Sequence, residues 1–154
     1  MPTKDPFRIN IAIRHPSYTP QRISEALSMK PLWSHTAGDR FIGRRKWKLT
    51  HFYALLQKGD YASQFERRLR KVVSFLKKHS AFLNALTKSN GEAEIILNHT
   101  INLQDEEGDK NFELSLAPAF VVCLASQRIG LRVQGWQGKA PRKRSGVRRR
   151  AKTR

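Results

Sequence analysis

Apolar residues recur along this chain at two spacings, one helical and one extended. In residues 61–79, YASQFERRLRKVVSFLKKH, the side chains Phe65, Leu69, Val72 and Leu76 follow one another at steps of four, three and four. That spacing lines them up on one stripe of a helix. Val73 widens the stripe, while Arg67, Arg70, Lys71, Lys77 and Lys78 fall on or near the opposite side. Such a helix must bury its stripe and keep its charges in water. The extended spacing opens the chain: Phe7, Ile9, Ile11 and Ile13 alternate with Arg8, Asn10, Ala12 and Arg14. A strict period of two predicts a half-buried strand. The pair His15-Pro16 ends it, since proline donates no hydrogen bond and restricts the residue before it.

Between these two segments Thr19 precedes Pro20, an N-cap followed by proline at the first helical position. A short helix is expected there, with Ile23, Ala26 and Leu27 inward and an end near Met29. Residues 32–45 read as a loop, and Trp47 and Leu49 alternate with Lys46, Lys48 and Thr50 as a second short strand. Residues 51–60 read as a connector. After the long helix, Ser80 is expected to cap a brief helix over 81–86, and Lys88-Ser89-Asn90-Gly91 to form a turn. Alternation resumes over 92–103, with Ala93, Ile95, Leu97, His99 and Ile101 on the apolar side. The acidic segment 104–111 reads as a hairpin loop, with Phe112, Leu114 and Leu116 on the returning strand. Pro118 then opens a helix offering Phe120, Val121, Cys123 and Leu124 for burial, and Leu131 and Val133 mark a last strand ending near Trp136.

The expected order is β-α-β-α-β-β-α-β, in the α+β class: a single, mainly antiparallel (mixed) sheet of about five strands with helices on one face. Its outward face would carry Arg8, Arg14, Lys46, Lys48 and Arg132 beside Glu94 and Glu113. The domain organisation follows: a lead-in at 1–6, one domain over 7–138 and a disordered basic tail over 139–154.

These pieces occur in an order similar to that of a bacterial family, the domain of unknown function 4279. The opening strand leads to TPQRISEAL, then a proline-containing segment with a tryptophan. A glycine-basic loop, a W-K-L strand, the long helix and FELSLAPA before a final strand complete the series. The W-x-L strand at 47–49 and the strand-into-helix segment at 112–120 are the parts most like the family. The resemblance covers about residues 7–136 and leaves the tail outside. It implies a fold and brings no activity with it.

Charge adds a partner class. The 154 residues carry a net +18, and nine of the cations, with no acid, lie in 139–154. Without that tail the chain still holds 21 basic and 12 acidic residues. Such a balance favours polyanionic partners. In the tail Lys139, Arg142, Lys143, Arg144, Arg148, Arg149, Arg150, Lys152 and Arg154 would neutralise phosphates and release counterions. Arms of this kind bind nucleic acid non-specifically with a Kd of about 10⁻⁴–10⁻⁶ M at physiological salt. A merely solubilising tail has the same composition. A second basic group, Arg40, Arg44, Arg45, Lys46 and Lys48, lies near Trp33, Phe41 and Trp47. Arginine beside aromatics is the composition of single-strand binding surfaces and of protein hot spots, and equally of a packed rim with solvated charges.

Catalytic signatures are missing from this picture. The five histidines, His15, His35, His51, His79 and His99, show no metal-ligand spacing, and His35 with Asp39 is the one pair worth naming. Cys123, the single cysteine, sits in an apolar helix and excludes an intrachain disulfide. No phosphate-binding glycine loop or nucleophile elbow occurs. No secretory start or membrane-length apolar run is seen, so the expected location is cytoplasmic. The expectation is a non-enzymatic binding or interaction protein without cofactor, associating with nucleic acid. The alternative is an inhibitor or immunity-type module that docks an acidic protein.

Overall fold

The computed structural model describes residues 6–101 and 114–137. The N-terminal alternation becomes β1 (Phe7–His15), and the capped helix becomes α1 (Pro20–Leu27). Thr19 Oγ1 accepts from the backbone N–H of Arg22 at 3.2 Å, and Pro20 takes the first turn. Three short strands follow, β2 (Trp33–His35), β3 (Arg40–Ile42) and β4 (Arg45–Lys46), then the long β5 (Thr50–Gly59). A 3-10 turn at Ala62–Gln64 leads into α2 (Phe65–Lys78), and α3 (Ser80–Lys88) continues after a break at His79. The described chain closes with β6 (Glu92–Ile101), α4 (Pro118–Ser126) and β7 (Gly130–Gln137).

Five strands form one mixed sheet in the order β2-β5-β1-β6-β7, and β3 and β4 form a separate two-stranded hairpin. β1 runs antiparallel to both neighbours; only the β6–β7 pair is parallel. The α+β class and the mainly antiparallel sheet are therefore as expected. All four helices serve one face, with α1 and α2 against β5, α3 against β6, and α4 against α2 and β7. The core is built from alternate strand residues: Phe7, Ile9, Ile11 and Ile13 on β1, Phe52 and Ala54 on β5, and Ala93, Ile95 and Leu97 on β6. Over them lie Leu69, Val72 and Leu76 of α2, with Phe65 and Val73 packed at the margin, as the helical stripe demanded. Burying one such aliphatic side chain contributes about 1.5–3 kcal/mol.

Several expectations are corrected. Residues 51–60 are not a connector but most of β5, the second most central strand. Their pattern hid the strand because both faces are apolar: Phe52 and Ala54 point to the helices, Tyr53 and Leu55 to the other side. Trp47 and Leu49 are not on a strand. The chain bends there between β4 and β5, and the expected loop over 32–45 contains β2 and β3. Lys46 and Lys48 consequently lie off the main sheet. His79, not Ser80, occupies the cap position of α3. Val121 is 47% exposed; α4 buries Phe120, Cys123 and Leu124 instead. This helix is apolar all round, so its sequence could not reveal which side faces inward. The acidic loop at 104–111, Phe112 and Glu113 lie outside the described residues, while 114–117 has no regular structure. On its side away from β1, β6 pairs with the final strand, β7, which runs parallel to it.

Outside the core, specific polar ties hold the layers together. Arg14 pairs with Glu92 at 3.3 Å and Glu94 at 3.8 Å, and Arg132 meets Glu94 at 2.9 Å, a cross-strand chain on the sheet's open face. Arg68 of α2 donates to Gln57 Oε1 at 3.3 Å. Gln127 donates to the Leu76 carbonyl at 3.3 Å, joining the end of α4 to α2. At the far end of β1, His15 is 1% exposed, and its Nδ1 accepts from the N–H groups of Ser17 at 3.0 Å and Tyr18 at 2.9 Å. The ring proton therefore sits on Nε2, which donates to Ser89 Oγ at 2.9 Å. Asn90 takes a positive φ of 65° in this turn. A Cβ on Gly91 would come within 2.7 Å of the Leu86 carbonyl oxygen, so the turn needs glycine there.

Two outcomes follow. Leu76→Ala should lower stability by about 2–5 kcal/mol in urea unfolding, whereas Val122→Ala, at an exposed position, should change it by less than about 0.5 kcal/mol. His15 has its pKa lowered from 6.5, chiefly by burial, with the Ser89 bond opposing and Arg22 adding to the shift. His51 and His79 are lowered too, again chiefly by burial. As pH falls through 6.5 the unfolded chain takes up protons that the folded chain resists, so stability is full above that pH and declines below it. The urea midpoint should be lower at about pH 5.5 than at about pH 7.5. His15→Gln should flatten part of that slope.

Candidate functional site

Because one face of the sheet is taken by helices, strand parity decides what the other face displays. Trp33 pairs with Tyr53 and His35 with His51 across β2 and β5, and Ala12 and Arg14 of β1 lie opposite Tyr53 and His51. All of these residues point away from the helices. The four rings of β2 and β5 meet two more from the hairpin. Gly43, with φ 59°, opens the two-residue turn between β3 and β4. The hairpin root is tied by Trp47 N–H to the Asp39 carbonyl at 2.9 Å and by Gly38 N–H to the Trp47 carbonyl at 2.7 Å. Asp39 also accepts from the Thr36 N–H at 3.1 Å, closing the turn that follows β2.

This arrangement lays Phe41 and Trp47 against the sheet rings. Centroids are 4.7 Å apart for Phe41 and Trp47, 4.6 Å for Trp47 and His35, 5.5 Å for His35 and Trp33, and 5.4 Å for Trp33 and Tyr53. His51 fills the middle, 5.0 Å from Trp47. The Trp47–His35 and Trp33–Tyr53 pairs are nearly parallel, at 19° and 16°. The result is a six-ring ladder. It is open to solvent at Trp33, 48% exposed, and at Phe41, 42% exposed.

Cations surround the ladder. Arg40 and Lys46 are cross-strand partners on the hairpin, Arg44 lies in its turn, and Arg45 opens β4 opposite Ile42. These four and Lys48 are exposed, and none has an ion-pair partner among the described residues. Arg14 borders the other side, and its charge, after burial and before that of His35, helps hold the His51 pKa below 6.5. The structure thus joins the expected Arg40, Arg44, Arg45, Lys46 and Trp47 into one surface, while the nine tail cations lie outside the described residues. His51 and Tyr53 were missed by the sequence reading. Their signal was the matching alternation of W-x-H at 33–35 and H-x-Y at 51–53. His35 and Asp39 are engaged separately: His35 stacks on Trp47, and Asp39 holds a turn.

Among the described residues no group of three or more His, Cys, Asp or Glu could hold a metal ion. Cys123 is a buried free thiol, with Gln127 Nε2 3.4 Å from its sulfur. No described helix is long and apolar enough to cross a membrane.

Fold and surface together define a small α+β protein with one helix-covered sheet face and one open face bearing rings and cations. The sequence model of the domain of unknown function 4279 matches residues 5–137, and the chain belongs to that family. Residues 138–154 fall outside the match. No curated protein and no solved structure matches the chain.

Proposed function

We propose that this protein is a non-enzymatic binding module that holds single-stranded nucleic acid on the open face of its sheet. The observation that supports this reading is the ring ladder at the foot of a cationic hairpin that has no ion pair among the described residues. Every base offers a face to a stacked aromatic, and each such stack is worth about 1–3 kcal/mol, while arginine and lysine beside it follow the phosphates. The cations on α2 meet no comparable ladder among the described residues: Arg70 is paired with Glu66, Lys71 and Lys78 border only the Phe75–His79 pair, and these with Arg67 and Lys77 are exposed on the helix layer and read as its solvated side. In this reading the tail adds sequence-independent attraction, and the ladder adds the preference for unpaired strands.

A second reading puts an acidic protein on the same surface. Ile42, 70% exposed, and Leu32, 57% exposed, favour it, because aliphatic side chains stack poorly on bases but fill protein pockets. Such a partner would make the protein an inhibitor or immunity-type module. Either role fits a cytoplasmic protein.

Fluorescence anisotropy with a labelled dT12 strand and the matching duplex separates the cases. The single strand should bind more tightly, quench tryptophan emission and weaken as salt rises, with a log–log slope of about −0.7 per phosphate contacted. The double variant Trp33→Ala, Phe41→Ala should weaken single-strand binding by roughly tenfold or more while leaving the salt slope unchanged. Removal of residues 138–154 should reduce that slope and keep the quenching. Equal binding of duplex and single strand, or no effect of the ring substitutions, would reject the ladder. Purification of a stoichiometric protein that survives nuclease would favour the second reading.

A further inference from the structure

Tyr53, the last ring of the ladder, is also the wall of a cleft of about 580 Å³ on the same open face. The floor of this cleft is made by carboxamides from three adjacent strands: Asn10 of β1, Asn98 of β6 and Gln134 of β7. Asn98 and Gln134 are direct cross-strand partners, and Asn10 is diagonal to Asn98, since it pairs with Ile96. Neighbouring positions of this kind lie roughly 5–8 Å apart, the span of a planar heterocycle. Asn98 Nδ2 is 3.4 Å from the Tyr53 hydroxyl, so the stacking wall and the polar floor are joined. Arg8 and Lys58, cross-strand partners on β1 and β5, stand at the rim.

Asn10 is the telling residue. It is 1% exposed, and its Oδ1 has no hydrogen-bond partner among the described residues. An acceptor shut away from water without a donor is costly, and native proteins rarely keep one that nothing uses. Asn10 lines the cleft, so a turn of its side chain would offer this acceptor to an N–H donor there.

We infer that this cleft is a base-reading pocket for adenine or cytosine, the bases whose exocyclic amine stands where guanine and thymine carry a carbonyl, splayed from a strand lying on the ladder. The inference rests on the proposed single-strand binding and adds a sequence preference to it. The amine donates to Asn10 Oδ1, the amides of Asn98 and Gln134 meet the rest of the base edge, and Tyr53 stacks on its face. Arg8 and Lys58 take the flanking phosphates. Thymine and uracil have a carbonyl where the amine would be, and could reach the Asn10 acceptor only by shifting to present N3–H, which breaks the match of the rest of the edge to Asn98 and Gln134.

The test uses the full chain and three labelled strands, dA12, dC12 and dT12, with urea unfolding of each variant alongside. At least one amine-bearing strand should bind roughly tenfold more tightly than dT12. Asn10→Leu should erase that difference. It should also raise the urea midpoint or leave it as it was, because it replaces an unpaired acceptor with an apolar group of similar size. Asn98→Ala should narrow the preference as well, which keeps the test decisive if Asn10→Leu folds poorly. Strands that bind without base preference, or a preference that survives both substitutions, would overturn the pocket and leave the ladder standing. A chain that binds none of the three strands would overturn both.

Discussion

Ile9, Ile11 and Ile13 lie beneath the helix layer with at most 1% of their surface in water, and the stripe Leu69, Val72 and Leu76 of α2 is buried in the same core. This one-sided burial constrains everything else. In a strand, consecutive side chains point to opposite faces, so a slip of one residue would send the isoleucines into water and the arginines into the core. The register is therefore locked by hydrophobic burial, and the open face inherits the intervening positions without further choice. His35 and Trp33, His51 and Tyr53, Asn10 and Arg14, Asn98 and Gln134 share that face because their neighbours in sequence are needed on the other.

The same logic explains which parts of the molecule could be read from its residues. β1 and α2 were plain, because each has one wet and one dry side, and such elements show a clean period. The N-cap at Thr19 and proline at position 20 were equally plain, since capping is a local event. β5 was invisible because Phe52 and Ala54 serve the core while Tyr53 and Leu55 serve the open face, leaving no polar positions to alternate with. β2 was too short to show a period at all, and only its pairing with β5 makes it a strand. The parallel position of β7 depends on where the chain passes after β6, which no local pattern encodes. The site shared this division. The basic group around Arg40–Lys46 was legible as composition, but its union with His51 and Tyr53 is a product of register.

Not every exposed ring or charge is a cost without purpose. On the open face, Arg14, Glu92, Glu94 and Arg132 neutralise one another, and each such exposed pair adds at most about 1 kcal/mol. The hairpin cations have no described acids to neutralise them, and Trp33 and Phe41 leave nearly half their surface in water. A face that pairs its charges at one edge and leaves them unpaired beside rings at the other is divided in role. The ion-paired charges of β1, β6 and β7 stabilise the sheet, whereas the unpaired cations and open rings beside β2 and β5 contribute little to it.

The bulge between β1 and β5 sharpens this division at the cleft. Ile9 pairs with Gln57 but Asn10 with Leu55, so Leu56 is an extra residue and the parity of β5 changes there. Without it, alternation from Tyr53 and Leu55 would carry Gln57 to the open face and Lys58 toward the core. With it, Gln57 turns under the helices to accept from Arg68, and Lys58 comes to the open face opposite Arg8. The extra residue therefore performs two tasks that a regular strand could not combine: it gives α2 a polar anchor and places a pair of cations at the rim of the cleft. It also sits immediately beside Asn10, the buried amide with a free acceptor. Local irregularity, rim charge and unsatisfied floor coincide at one point of an otherwise regular sheet, which is where a fold whose other positions are mutually consistent would be expected to carry its function.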